Sequence, residues 1–224
     1  MYELADENTL CVLDIDNTLY RPRQMLGSDE WITYCIKKSN SLEEIENIVN
    51  LWHAIHIVTE IDPMEPGTSD IVRRLQSKCS VMAMTNRQPS QEITTKNQLR
   101  TIHIDMQLSS PITSSFNLKQ LPLARFSAGV LYTANQHKGK SLQEFLEITK
   151  LEPKRIIYIN DHKNPLTEVA GLLPEEIEFT GLRFTGADKF VTTFDPLVAE
   201  YELKSWKNIL GDDKARKILA KKAG

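Results

Sequence analysis

The chain has 224 residues, with 27 basic against 30 acidic side chains, a net charge of −3, 41% hydrophobic and 25% charged residues. At roughly 100–200 residues per domain this is one domain, or one domain with an insertion, long enough to bury a core without staples. A pI near 6.0 lacks the positive surplus that binding a phosphate backbone needs, so no nucleic-acid partner is expected. Cys11, Cys35 and Cys79 are odd in number and form no C-x-x-C pair, which argues against a disulfide framework or zinc finger and fits a reducing compartment. The apolar stretch 45–58 is interrupted by Glu46, Asn47, Asn50, His53 and His56 and is no membrane span. The first ten residues carry acids and no long apolar region, which points to the cytoplasm; a periplasmic or secreted location stays open if a leader has been removed.

The first strong element is the apolar run Leu10 to Ile15, suited to a strand buried on both faces of a parallel sheet. It runs into Asp14, Asp16, Asn17 and Thr18, where an α/β sheet places its ligands. The stretch 21–66 has another texture. Ser28-Asp29-Glu30 opens a helix through Trp31, Ile32 and Ile36, and Ser41-Leu42-Glu43-Glu44 has the capping-box pattern of a second. Ile45, Ile48, Val49, Trp52 and Ile55 follow a helical period there, and Asp62-Pro63 with Glu65-Pro66-Gly67 breaks the chain. This predicts a small helical insertion, 21–66, in a core of 1–20 and 67–224.

After the insertion, helices and strands alternate. A helix is predicted over 68–77 with Ile71, Val72 and Leu75 inward, then a strand over 81–84 ending in Thr85-Asn86-Arg87, then a helix over 90–102. Residues 105–127 show no clear pattern. A strand at 129–133, a helix at 138–148 and a strand at 155–159 ending in Asn160-Asp161 follow. A helix at 166–173, a strand near 177–184 and helices at 196–210 and 213–220 complete the chain. The alternation predicts an α/β fold, a parallel sheet with helices on both faces.

Three strand ends therefore carry Asp14 with Asp16, Thr85 and Asp161, and Lys138 opens a helix between two strands. Gathered carboxylates repel unless a cation sits among them, and hard oxygen ligands favour Mg²⁺ with a phosphate group. A hydroxyl and an ammonium nearby suit the remaining phosphate oxygens. Lys138 stands where the helix dipole disfavours a cation, so an anion beside it is expected; Lys140 is its rival. Arg87 is set either to meet an anionic substrate or to lie on the surface. His53 and His56 are three apart but have no visible third ligand, and Trp31, Tyr34 and Trp52 read as packing residues. Lys214, Arg216, Lys217, Lys221 and Lys222 follow Asp212 and Asp213 as the basic end of a solvated terminal helix.

Asp14-Ile15-Asp16-Asn17-Thr18 resembles motif I of the haloacid dehalogenase-like (HAD) superfamily, Asp-x-Asp-x-Thr after a buried strand. Thr85 resembles motif II, Lys138 in Lys138-Gly139 resembles motif III, and Ile156 to Asp161 resembles motif IV, all in the family's order. Leu26-Gly27-Ser28-Asp29 with Trp31, and Met84-Thr85-Asn86-Arg87, resemble an uncharacterised bacterial branch that brings no substrate with it. The resemblance implies a HAD-like Rossmannoid sheet with 21–66 as a cap that selects substrate. It implies that Asp14 attacks phosphorus and that Asp16 is the general acid and base. Thr85, the amide of Asn86 and, on the residue reading, Arg87 would bind substrate, Lys138 would stabilise charge, and Asp14, the carbonyl of Asp16 and Asp161 would hold Mg²⁺. Asp at position 16 favours phosphoester hydrolysis or transfer over the chemistry of the superfamily's ATPases and dehalogenases. Asn160 stands where many members have an acid, and Asn164 and Pro165 stand where some have another. The implied function is a Mg²⁺-dependent phosphohydrolase acting on a phosphorylated small molecule or a phosphoprotein. A phosphotransferase using the same phosphoenzyme, or a catalytically weak binding or regulatory module, is the alternative.

Overall fold

The computed structural model describes residues 2–205 and 211–222. In chain order they form β1 (Thr9–Leu13), β2 (Tyr20–Pro22), α1 (Asp29–Lys38), α2 (Leu42–Val58), β3 (Ile61–Pro63), α3 (Thr68–Gln76), β4 (Ser80–Thr85) and α4 (Glu92–Thr101). They continue with β5 (Phe116–Asn117), β6 (Arg125–Ser127), β7 (Val130–Tyr132), α5 (Lys138–Thr149), β8 (Arg155–Asn160), α6 (Lys163–Ala170), β9 (Glu178–Arg183), α7 (Asp188–Thr193), α8 (Pro196–Lys204) and α9 (Asp212–Lys222). Two compact units result, one of the residues up to Leu19 with Pro63–Gly186, the other of Tyr20–Asp62 with the described residues from Ala187 on. None of the described helices is long and apolar enough to cross a membrane.

The first unit is built on a seven-stranded sheet of order β5-β6-β7-β4-β1-β8-β9. The five strands from β7 to β9 run parallel, and β5 and β6 add an antiparallel edge. All of β1 is buried, as are β4 and β8 after their first residues, so both sheet faces are covered, as a parallel sheet requires. On one face Leu10, Val12, Met82, Met84, Ile156 and Tyr158 pack against Leu142 and Phe145 of α5 and Leu166 and Val169 of α6. The chain builds outward from β1 through β4 and β7, then returns to β1's other side with β8. The strand order thus reverses beside β1, where open α/β sheets bind ligands at their carboxyl ends. Register brings those ends level: Leu13 pairs with Ala83 and with Ile159, and Asp14 N–H donates to Ile159 O at 2.9 Å.

Helix α5 needs glycine at its second residue. A Cβ on Gly139 would lie 2.5 Å from the Glu168 carbonyl oxygen of α6. Alanine ordinarily gains about 1 kcal/mol over glycine in a helix, but backbone that cannot yield reverses the sign here.

The differences from the sequence expectations have simple causes. Strands β5 and β6, inside the unread stretch 105–127, have two and three residues, too few to display a period. Ile71, expected inward, is exposed; α3 instead buries Thr68, Val72 and Leu75 at helical spacing. Helix 196–210 is seen as α8, and 206–210 lie outside the described residues. The helices after Gly186, expected in the core, belong to the second unit.

In that unit Met25, Leu26, Trp31, Ile32, Trp52 and Ile55 pack with Val198, Ala199 and Ala215 of α8 and α9. Ser28 and Ser41 cap α1 and α2 by accepting from Trp31 N–H (3.2 Å) and Glu44 N–H (3.1 Å). The Glu44 carboxylate accepts from Asn40 N–H at 2.6 Å, one residue before the usual box partner. Gly27 adopts φ +83°, and a Cβ there would lie 2.6 Å from Ile55 Cγ2. Its carbonyl accepts from Trp52 Nε1 at 2.8 Å and meets His56 Nε2 at 2.9 Å, so that histidine nitrogen is engaged within the fold. Leu26 N–H donates to the buried Glu202 carboxyl and Met25 N–H to Asp212, each at 2.8 Å.

Burial, reinforced by Asp212, pushes Glu202 up to about 8. Between its ordinary value of 4.5 and about 8 the folded chain therefore holds a proton that the unfolded chain has released. This contribution to stability is full below the lower value and falls as pH rises through the window. The urea midpoint should fall from about pH 5 to about pH 8, and Glu202→Gln, which keeps an acceptor for Leu26, should flatten that slope. Equal slopes in both proteins would contradict the assignment.

Candidate active site

Asp14 leaves the end of β1, and the chain then turns sharply. Asn17 takes a left-handed conformation (φ 59°), which asparagine tolerates, while Thr18 N–H and Leu19 N–H both return to Ile15 O. The turn keeps Asp14 and Asp16 at the strand end. The Asp14 carboxylate is buried, and its Oδ1 accepts from Lys138 Nζ at 2.6 Å. Lys138 is the first residue of α5 and is itself 4% exposed, whereas Lys140 is exposed. The anion expected beside the Lys138 ammonium is thus Asp14. Burial alone would depress Lys138, but Asp14 and the Tyr158 hydroxyl outweigh it and hold the ammonium above the ordinary lysine value.

Tyr158 lies in β8 on the same face as Asn160, two residues on. Asn160 Nδ2 donates to the Tyr158 hydroxyl at 2.8 Å, and its Oδ1 accepts from His162 N–H at 2.8 Å. Asp161 follows, buried, with Oδ2 3.5 Å from His162 Nε2, and its carbonyl accepts from Arg183 Nε at 3.1 Å.

Thr85 ends β4, fully buried; its Oγ1 accepts from Arg87 N–H at 3.2 Å. Thr133, just past β7, ties this strand end down, donating from its N–H to Thr85 O (2.8 Å) and from Oγ1 to Asn86 Oδ1 (3.1 Å). Asn86 itself is exposed. Arg87 is not turned outward toward an anionic substrate. Its side chain is 0% exposed, and its Nε and one terminal nitrogen donate to the two Asp16 carboxylate oxygens at 2.9 and 2.8 Å. The other terminal nitrogen donates to Thr95 Oγ1 (3.1 Å) and Gln98 Oε1 (2.7 Å) of α4. Thr95 and Gln98 sit three apart on one helix face, a spacing visible in the sequence, but nothing there ties them to Arg87.

The three carboxylates of Asp14, Asp16 and Asp161 thus stand with two buried cations, Lys138 and Arg87. Among the described residues no three Asp, Glu, His or Cys side chains form a metal-holding group. With Asp16's carboxylate facing Arg87, an ion would draw on the Asp16 carbonyl and on the carboxylates of Asp14, itself paired with Lys138, and Asp161. This all-oxygen set is of the kind that suits a small hard cation that keeps several of its waters.

A parallel α/β protein with a buried, charge-paired carboxylate site at its strand reversal is what these residues define. The chain belongs to a family described as a protein of unknown function, DUF2608, whose model matches residues 2–216. It is 27% identical over 225 residues to a Chlamydia muridarum protein named "Putative outer membrane protein", covering 95% of this chain and 82% of that one. It is 25% identical over 240 residues to an uncharacterised Rickettsia prowazekii protein, covering 97% and 85%. Among solved structures it is similar to a haloacid dehalogenase-like family hydrolase from Streptococcus pneumoniae, with TM-score 0.48 and 14% identity over 81% of this chain and 90% of that one.

Removing Arg87 would take a buried cation from Asp16 and a donor from Thr95 and Gln98 together. Arg87→Ala should lower unfolding stability by about 3 kcal/mol, as breaking a buried ion pair does, where an exposed arginine would cost under about 0.5 kcal/mol. Urea denaturation measures this, and a near-neutral effect would contradict the buried pairing.

Proposed function

We propose that the chain is a Mg²⁺-dependent phosphohydrolase that cleaves a phosphate monoester through an aspartyl-phosphate on Asp14. The observation that carries this reading is the buried Asp14 carboxylate at the strand reversal, 2.6 Å from the Lys138 ammonium, with the buried Asp161 just past the end of the adjoining strand β8. The motif order that resembles the HAD superfamily supports it independently.

In this reading an Asp14 carboxylate oxygen attacks phosphorus, the bond from phosphorus to the leaving oxygen breaks, and Asp16 gives that oxygen a proton. Asp16 then takes a proton from the attacking water as the Asp14–phosphorus bond breaks and phosphate departs. Lys138 offsets the negative charge gathered between Asp14 and the transferring group. The Thr85 hydroxyl and Asn86 N–H hold phosphoryl oxygens, and Arg87, given its bonds to Asp16, orients that residue instead of binding substrate. Asp14, Asp161 and the Asp16 carbonyl would hold Mg²⁺, which when bound would supply further positive charge to the phosphoryl group. The segment 21–66 is the substrate-selecting part of the chain, and the substrate is a phosphorylated small molecule or a phosphoprotein. The Chlamydia muridarum relative's name makes an envelope location the rival of a cytoplasmic one, and cell fractionation decides between them.

One observation favours a second reading. Both carboxylate oxygens of Asp16 are engaged by Arg87, which suits a binding or regulatory module with slow turnover.

The purified chain should release phosphate from an aryl phosphate with Mg²⁺ but not with Ca²⁺, whose longer and more numerous contacts fit in-line attack by a carboxylate poorly. Lys138→Ala should lower kcat by about a hundredfold or more, the scale of a lost transition-state contact, while Lys140→Ala should change it by less than about threefold. Full turnover in chelator, or equal mild effects of the two substitutions, would contradict the proposal.

A further inference from the structure

Arg87 meets the site twice. Its backbone N–H donates to Thr85 Oγ1 at 3.2 Å, and its guanidinium donates to both carboxylate oxygens of Asp16, at 2.9 and 2.8 Å. One residue thus links the hydroxyl that the proposed reaction sets on a phosphoryl oxygen with the carboxylate that it sets on the leaving oxygen. A side chain 0% exposed takes its orientation from protein groups and not from water, which raises the question of what orients Arg87.

The answer lies on α4. A guanidinium has five N–H groups in one plane, one on Nε and two on each terminal nitrogen. Nε and Nη2 each give one to Asp16. Nη1 stands 3.1 Å from Thr95 Oγ1 and 2.7 Å from Gln98 Oε1, so its two protons have one acceptor each. A guanidinium nitrogen only donates, so the amide atom facing it must be the oxygen, and this fixes which way the Gln98 amide is turned. Both Thr95 and Gln98 are buried.

Because the guanidinium is planar and rigid, orienting one edge orients the other. Two acceptors on one edge fix the plane and its rotation, whereas a single one would let the fork swing about that contact. Thr95 and Gln98 lie three apart on one face of α4, so the helix presents both acceptors as a unit. The edge that meets Asp16 is therefore aimed from α4, a helix that carries none of the strand-end groups.

We infer that Thr95 and Gln98 are positioning residues: acting through the Arg87 guanidinium, they set where the Asp16 carboxylate points when it exchanges a proton with the leaving oxygen. The inference rests on the phosphohydrolase reading, which gives Asp16 that work. A nitrophenolate departs with little help from an acid, whereas an alkoxide needs a proton. A misplaced Asp16 therefore harms the two kinds of ester unequally, while a loss of folded protein harms them equally.

Thr95→Val and Gln98→Met keep the approximate size of each side chain and remove the acceptor; Thr95→Ser keeps the hydroxyl. The double variant Thr95→Val with Gln98→Met should lower kcat/KM for glycerol phosphate by about tenfold or more, and for nitrophenyl phosphate by less than about threefold. Thr95→Ser should match the wild type on both, and thermal unfolding checks that each variant is folded. The ratio kcat/KM is the one to read, since it covers the steps through phosphoenzyme formation, where Asp16 acts as the acid. Equal losses on the two esters, or none on either, would leave Thr95 and Gln98 a structural role alone and overturn the inference. A gain on the alkyl ester would make the clamp a restraint on Asp16 and overturn it too. So would a wild-type chain that cleaves the aryl ester but not the alkyl one, because Asp16 would then protonate no leaving group, although Asp14 would keep its role. A wild-type chain that releases phosphate from neither ester would overturn the phosphohydrolase reading and the inference with it.

Discussion

The contact between Asp14 and Lys138 is the constraint around which the first unit is arranged. A carboxylate and an ammonium removed from water each lose several kcal/mol of solvation, and only close geometry with further hydrogen bonds offsets that loss. The fold supplies both. Strand β1 delivers Asp14 at the point where the sheet order reverses, and helix α5 delivers Lys138 from its first residue. Gly139 lets that helix approach α6 at backbone distance. Moving any one of these would leave a buried charge with an incomplete shell.

A second pair repeats the pattern one step along the chain. Asp16 faces the bidentate guanidinium of Arg87, and α4 holds the guanidinium's far side through Thr95 and Gln98. The planar fork matches a carboxylate in a way lysine cannot, which accounts for arginine at this buried position. The two pairs divide the carboxylates of the turn after β1 into one held by a point charge and one held flat. Asp161, buried just past β8, lies beside His162 Nε2 and anchors Arg183 through its carbonyl.

Much of this is legible in the sequence. Apolar runs of five or six residues ending in acids, alternating with helical periods, are enough for a parallel sheet with its polar groups at the carboxyl ends. The preference for Lys138 over Lys140 comes from the resemblance of Lys138-Gly139 to the superfamily's motif; in the structure Lys138 is buried on Asp14 and Lys140 is exposed. In sequence Arg87 faces substrate or solvent equally well, because its partner lies 71 residues away and no local pattern reports a pairing of that span. Tyr158 reads as one more apolar strand residue in sequence, since a phenol's ring and hydroxyl send opposite signals and burial decides which is heard. The helices after Gly186 look like any terminal helices in sequence. Their membership in the second unit depends on Val198, Ala199 and Ala215 finding Trp31 and Trp52, a match of surfaces that periodicity does not record.

The proposed chemistry stands on a covalent bond to one oxygen of one residue, and that bond can be observed. Acid quench of the chain, and of Asp16→Asn to slow release, during turnover of an aryl phosphate should trap an acid-stable, alkali-labile phosphoryl group. Peptide mass spectrometry should locate that group on Asp14. A phosphoryl group on any other residue, or steady turnover with none trapped in either protein, would contradict Asp14 as the nucleophile.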